Sequence, residues 1–412
     1  MNSWLLFILA VILLSFLLET AVAILNLRAL SPDIPSEFTG IYDQQRYEKS
    51  QRYTQENTRF SLLQNSFTTG VTVIFLLIGG FNGVDLFARS FNLAPIPTGL
   101  IFTGVLLVLM LLLGLPFTLY STFVLEEKYG FNRTSVKTFF LDLLKAALLT
   151  VCLGGPLLAL VLWFFQAAGD LAWFYCWIGV FAITLLLQFL APVIIMPLFN
   201  KFTPLEEGEL KDAILAYTKK ENFRIKGVYV MDGSKRSSKL NAFFTGFGKF
   251  KKIVFFDTLL EKLGNRQTLG VLAHEMGHYK YKHLLKMLFA SFLQTGILFF
   301  LLSRIINNEN LFEAFSMTHL SIYASLVFFG FLYTPVSLLL SILFNHFSRK
   351  HEYQADRYAA TTTKSPEDLI DGLKILSREN LSNLTPHPLN VFLHYSHPPV
   401  LLRIKALRNI RM

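Results

Sequence analysis

Charge is scarce in this chain. Lys, Arg, Asp and Glu make up 16% of its 412 residues, against 53% hydrophobic residues, and mean hydropathy is +0.46. A soluble fold of this length needs more charge to cover its surface, so the excess apolar side chains must face lipid. Cysteine is nearly absent. The two present, Cys152 and Cys176, sit inside apolar runs, which argues against a disulfide framework and a thiolate zinc site. No basic region precedes the first apolar run, and that run is too long for a signal-peptide core. There is no repeat of solenoid length and no low-complexity tract. The formal charge is +10, but the basic residues lie between apolar runs rather than in one stripe, so no nucleic-acid partner is expected.

What is present is a series of bilayer-length apolar runs. They read as seven spans: Trp4–Leu27, Thr68–Ala88, Gly99–Val124, Asp142–Phe165, Ala172–Met196, Leu284–Ile305 and Leu320–Asn345. Gly154, Gly155 and Pro156 predict a kink in the fourth. The connections alternate in charge. Arg28, Arg46, Lys49, Arg52 and Arg59 follow the first span, and Lys128, Arg133 and Lys137 the third, while 201–283 and 349–411 are strongly basic. The other connections hold little more than Arg89 and Arg304. Positive charge marks the cytoplasmic side, which places the amino terminus outside and both large polar segments inside. Four regions follow: 1–200 with five spans, 201–283 as a cytoplasmic catalytic region, 284–346 with two spans, and 347–412 as a carboxy-terminal cytoplasmic region.

Within 201–283, Leu205–Glu221 reads as an amphipathic helix and Gly227–Met231 as a strand. The turn-rich Asp232–Lys239 follows. Phe243–Lys252 and Ile253–Phe256 then read as a strand pair, with Gly246 and Gly248 allowing a turn or bulge. Asp257 or Thr258 is placed to cap a short helix. Near the carboxy terminus, Ser365-Pro366-Glu367-Asp368 has the composition of a helix start.

The sequence His274-Glu275-Met276-Gly277-His278 is H-E-x-x-H. On a helix the two histidines lie one turn apart on one face, where their imidazoles can bind one tetrahedral zinc. Glu275 then sits beside them as general base for an attacking water. A catalytic zinc of this kind needs a third protein ligand. Glu309 and Glu313 lie one span further on, on the wrong side, and Glu367 and Asp368 are accounted for as helix-start acids. Glu352 and Asp356 remain, one helical turn apart, two crossings from His278 and so on the same face. With Glu352 as ligand, Asp356 could accept an imidazole N–H or donate a proton to the leaving amine. His394, His397 and Arg403 are candidate donors to the carbonyl oxygen as negative charge builds there. Zinc is the expected metal, although cobalt or manganese would suit the same donors.

Together with Ser348-Arg349, Glu352 and Ala355-Asp356, with Ser396-His397-Pro398-Pro399, and with Leu402-Arg403-Ile404, the H-E-x-x-H stretch resembles the CAAX prenyl protease 1 family. Leu125 to Arg133 and Asn241 to Phe247 extend the likeness over nearly the whole chain. The resemblance implies a mainly α, multi-pass membrane fold in which seven helices form a barrel around a water-filled chamber. A zincin-like catalytic region with a small β-element would close its cytoplasmic end. It further implies one zinc ion on His274, His278 and Glu352, with Asp356 beside it. His397 and Arg403 would stabilise the transition state, and Asn241 with the strand after it would hold substrate backbone. The substrates it implies are prenylated CaaX proteins, cut to release a carboxy-terminal tripeptide. The short Asn307–His319 loop, where some eukaryotic members carry an insertion, fits a bacterial or minimal member. The expected location is the inner membrane in a bacterium or the endoplasmic reticulum in a eukaryote. Two other readings are a quality-control membrane metalloprotease, which shares H-E-x-x-H, and a transporter or scaffold. A transporter would need ionisable residues along an intramembrane path, whereas Asp142, Lys145 and Asp170 lie near span ends.

Overall fold

The computed structural model describes residues 2–246 and 252–410. Seven of its helices are long and apolar enough to cross a membrane: Ser3–Arg28, Gln44–Leu77, Pro95–Tyr129, Val136–Ala167, Gly169–Phe199, His283–Ile305 and Ile322–Thr363. Each packs on the next in chain order. The second meets the third through Phe60 and Phe67 on Phe117, and the seventh returns to the first. Only 0–17% of each apolar window is buried. A solid bundle would bury the inner face of every helix, so the seven form a single-layer wall around an interior space.

Two spans differ most from expectation. The second helix begins at Gln44, inside the polar stretch, because Gln, Glu, Arg and Lys favour helix. It stops at Leu77, where Gly79 turns the chain with φ +71°. The expected span Thr68–Ala88 is therefore broken. Its second half is a separate helix, Gly80–Arg89, that buries Asp85 against Arg89 (2.8 Å) and the Tyr323 hydroxyl. Hydropathy averages over such an internally paired charge. The seventh helix, expected to end at Asn345, continues unbroken to Thr363 and so carries Glu352 and Asp356 on the same rod that crosses the membrane. The kink predicted in the fourth span is a π-helical turn at Thr150–Gly154.

The polar segments join into one body. Four strands, β1 (Phe202–Pro204), β2 (Gly227–Met231), β3 (Ala242–Thr245) and β4 (Lys252–Phe256), form a sheet of order β1-β2-β4-β3. β2 and β4 are parallel, and β3 runs antiparallel to β4 with Phe243 opposite Val254. The predicted strand pair is thus present, although Gly248 lies outside the described residues. The helix expected over Leu205–Glu221 is shorter, Glu209–Lys220, since β1 and its exit take the preceding residues. Ser365 does precede a helix, Pro366–Glu379, but its hydroxyl makes no capping bond. Beneath the sheet, Ile214, Val228, Ile253, Phe255, Leu272 and Ile370 share a core with residues of 347–412. The two polar segments are consequently one packed unit. Cys176 is buried and Cys152 exposed, and neither is bonded to the other.

Candidate metal centre

The H-E-x-x-H residues lie on the helix Asn265–Lys280, whose Leu272, Ala273 and Met276 are wholly buried. This helix packs along the polar carboxy-terminal extension of the seventh span. The approach is close because Gly277 has no side chain. A Cβ there would stand 2.8 Å from the Ala355 Cα and 3.1 Å from its carbonyl oxygen. Gly277 lies between the two motif histidines, and Ala355 lies between Glu352 and Asp356, so this contact sets the distance across the site. Gly277→Ala should cost about 1–3 kcal/mol by overpacking and lower metal content with it. Gly330→Ala, with nothing near its Cβ, should leave metal content unchanged. Thermal unfolding and metal analysis of both variants check this.

The structure brings His274, His278 and Glu352 together with one donor atom of each within 4.8 Å of the others. His274 Nε2 and His278 Nε2 are 3.1 Å apart. Glu352 Oε1 lies 3.1 Å from His278 Nε2, and Oε2 lies 3.4 Å from His274 Nε2. Glu352 is 2% exposed, yet its Oε2 accepts no hydrogen bond. A buried carboxylate oxygen without a donor costs free energy unless a cation faces it. Two imidazoles and one carboxylate are moreover a donor set for a divalent transition metal.

Outside this triangle the remaining atoms are accounted for. His274 Nδ1 donates to Asp356 Oδ1 at 2.8 Å. Asp356 in turn receives a fork from Arg403, with Nε to Oδ2 at 2.9 Å and Nη2 to Oδ1 at 2.6 Å. Arg403 Nη1 also lies 3.3 Å from Glu352 Oε2. Burial and Arg403 both pull the His274 imidazole down, but Asp356 and Glu352 outweigh them and lift it to about 9. The two carboxylates therefore hold positive charge at this point strongly. Burial pushes the Glu275 carboxyl above its ordinary range, opposed by both histidines.

A cavity of about 480 Å³ opens on the centre, lined by Asn241, Ala242, Glu275, Glu352 and His397 among others. His397 projects into it, its side chain 65% exposed and its Nε2 3.4 Å from Glu352 Oε1. Arg349 bonds the carbonyls of Val391 and Tyr395 and so holds the loop that carries His397. His394 does not join it, and pairs with Glu19 of the first span at 3.3 Å instead. Asn241 accepts the Ala242 N–H on its own side chain and the Phe256 N–H on its carbonyl. It thereby leads into β3, an edge of the described sheet that faces the cavity. Three residues at the centre were not singled out from the sequence: Gly277, His283 and Gln354. A glycine between two ligand histidines and a third histidine five positions on were the available signals.

The chain resembles known proteins over nearly its whole length. A family model described as CAAX prenyl protease N-terminal, five membrane helices, matches residues 23–201. The model for peptidase family M48 matches 204–411. The CAAX prenyl protease 1 homolog of Oryza sativa subsp. japonica is 33% identical, over 98% of this chain and 96% of its own. CAAX prenyl protease 1 of Saccharomyces cerevisiae is 34% identical over 89% of this chain and 86% of its own. The crystal structure of S. mikatae Ste24p superposes with a TM-score of 0.94 at 32% identity, over 99% of both chains.

Proposed function

The chain belongs to peptidase family M48 and, within it, to the CAAX prenyl protease 1 group, and from that footing we propose how its residues divide the work and on which substrates. It is a multi-pass membrane metalloendopeptidase. The metal is assigned as a single zinc held by His274 Nε2, His278 Nε2 and a Glu352 carboxylate oxygen, and the observation that carries the assignment is that one donor atom of each lies within 4.8 Å of the others. Bound there, zinc would supply the Lewis acidity that makes a water nucleophilic near neutral pH and polarises the scissile carbonyl.

The chain's own groups supply the rest. Glu275 accepts the proton of the attacking water and returns it to the leaving amine, and its burial makes it a stronger base than a solvated carboxylate. Asp356 fixes the tautomer and ring plane of His274. Arg403 holds Asp356 and Glu352 in place and adds a positive field on the cavity side. His397, exposed to the cavity, donates to the carbonyl oxygen as charge develops. The outer edge of β3 in the described sheet, with Asn241 at its head, takes substrate backbone as an added strand. The alternation of Lys and Arg between the spans places this centre, with 201–283 and 347–412 as one catalytic body, on the cytoplasmic side.

The substrates are prenylated CaaX carboxy termini. The seven apolar helices would give a lipid-bearing segment an apolar surface, and the names of the relatives point to CaaX termini. The test is a farnesylated CaaX peptide beside its unprenylated twin, incubated with purified protein and analysed by mass spectrometry. Release of the last three residues, faster for the farnesylated peptide and abolished by a zinc chelator, is the expected result. Equal cleavage of both twins at scattered bonds would replace CaaX processing with general turnover of membrane proteins.

A further inference from the structure

The outer nitrogens of the two motif histidines are handled differently. His274 is backed by a carboxylate, Asp356. Behind His278 no acid stands among the described residues. Its Nδ1 lies 3.1 Å from Nδ1 of His283, and His283 Nε2 lies 2.9 Å from Gln354 Oε1. His283 is 3% exposed and begins the sixth span, while Gln354 lies two residues beyond Glu352. His351 stacks on the His283 ring, with centroids 4.0 Å apart and planes 13° from parallel.

Gln354 turns its oxygen to His283 Nε2, and with Nε2 of His278 kept free for a metal one proton arrangement satisfies these contacts. An amide oxygen can only accept, so Nε2 of His283 carries the hydrogen given to Gln354. A neutral imidazole with hydrogen on Nε2 has its lone pair on Nδ1, which must then accept from His278 Nδ1–H. His278 is left with its lone pair on Nε2, the atom that faces Glu352 and His274. Reversing the chain would put a hydrogen on that Nε2 and close it to a metal.

We propose that His283 is a positioning residue for the metal centre: with Gln354 it forms a neutral relay that fixes the tautomer and ring orientation of His278. The relay rests on the reading of His278 as a ligand, and it goes beyond it by tying the centre to the sixth span, whose first residue is His283. Gln354 and Glu352 come from one helix, so a shift of the sixth span against the seventh would turn the His278 ring relative to Glu352.

The test uses full-length detergent-solubilised protein and two substitutions that oppose each other. His283→Asn keeps an oxygen acceptor near the Nδ1 position and loses the ring. His283→Phe keeps the ring and its stack on His351 and loses the acceptor. Zinc affinity is measured by chelator competition, and ligand geometry by the visible absorption of the cobalt-substituted protein. The relay requires His283→Phe to bind zinc about 10–100-fold more weakly with an altered cobalt spectrum, and His283→Asn to stay within a few-fold of wild type. Gln354→Glu, which can only accept, should bind at least as tightly as wild type. The converse result, with Phe tolerated and Asn damaging, would assign His283 to packing and overturn the relay. Equal affinity in all variants would overturn it as well. Failure of the wild type itself to bind metal would instead sink the metal-centre reading, and the relay with it.

Discussion

Glu275→Gln is expected to lower kcat for peptide cleavage by about 10²–10⁴-fold while zinc content and unfolding temperature stay at wild-type values. The substitution is isosteric, and the amide can still hydrogen-bond a water, but it cannot take a proton. Glu275 makes none of the contacts that define the metal triangle, which belong to His274, His278 and Glu352. Its loss should therefore separate chemistry from metal binding. The variant should also still bind substrate, because β3 and Asn241 line the cavity and are not among the ligand set. KM near wild type with kcat collapsed is the signature of a group used only in the transition state. Retained activity in Glu275→Gln would remove the general base from the mechanism. Loss of zinc in the same variant would make Glu275 a structural part of the centre instead.

Much of this was legible in the sequence because membrane proteins write their architecture in long apolar runs. Seven runs gave seven spans, and H-E-x-x-H marked the helix that carries the cluster. The parity of crossings singled out Glu352 and Asp356, and the structure brings both to the histidines. Failures came where a polar group is satisfied internally. Asp85, paired with Arg89 and Tyr323, sits in a helix that hydropathy reads as the end of a span. Gly79 and Gly80, where the chain actually turns, are visible in sequence only as two residues of an apolar run. The same reasoning could not separate His394 from His397, since three residues of loop suffice to send one to Glu19 and the other to the cavity. His283 and Gln354 lay beyond reach for a similar reason. Their meeting depends on how the sixth and seventh spans lie against each other, and no local pattern encodes that.

Arg403→Leu is expected to destabilise the catalytic body by about 3–5 kcal/mol, the cost of breaking a buried ion pair from one side. Arg403 is 8% exposed and Asp356 and Glu352 2% each, so water cannot replace the lost guanidinium. Its two bonds to Asp356 and its approach to Glu352 leave two carboxylates facing each other once it is gone. Arg403→Lys restores the charge without the planar fork, and a point charge can satisfy one carboxylate but not span both. It should recover part of the stability and remain short of wild type. A divalent cation would offset some of the same repulsion, so the stabilisation gained on adding zinc should be larger in Arg403→Leu than in wild type. Denaturant titration in detergent, with and without zinc, measures both quantities. If Arg403→Leu unfolds with wild-type stability, the carboxylates are not held by this residue. A zinc-dependent gain no larger than that of wild type would show that the guanidinium and the metal do not share one electrostatic site. The opposite pattern would place Arg403 as the fixed cation that lets two acids stand beside the ligand histidines in the absence of water.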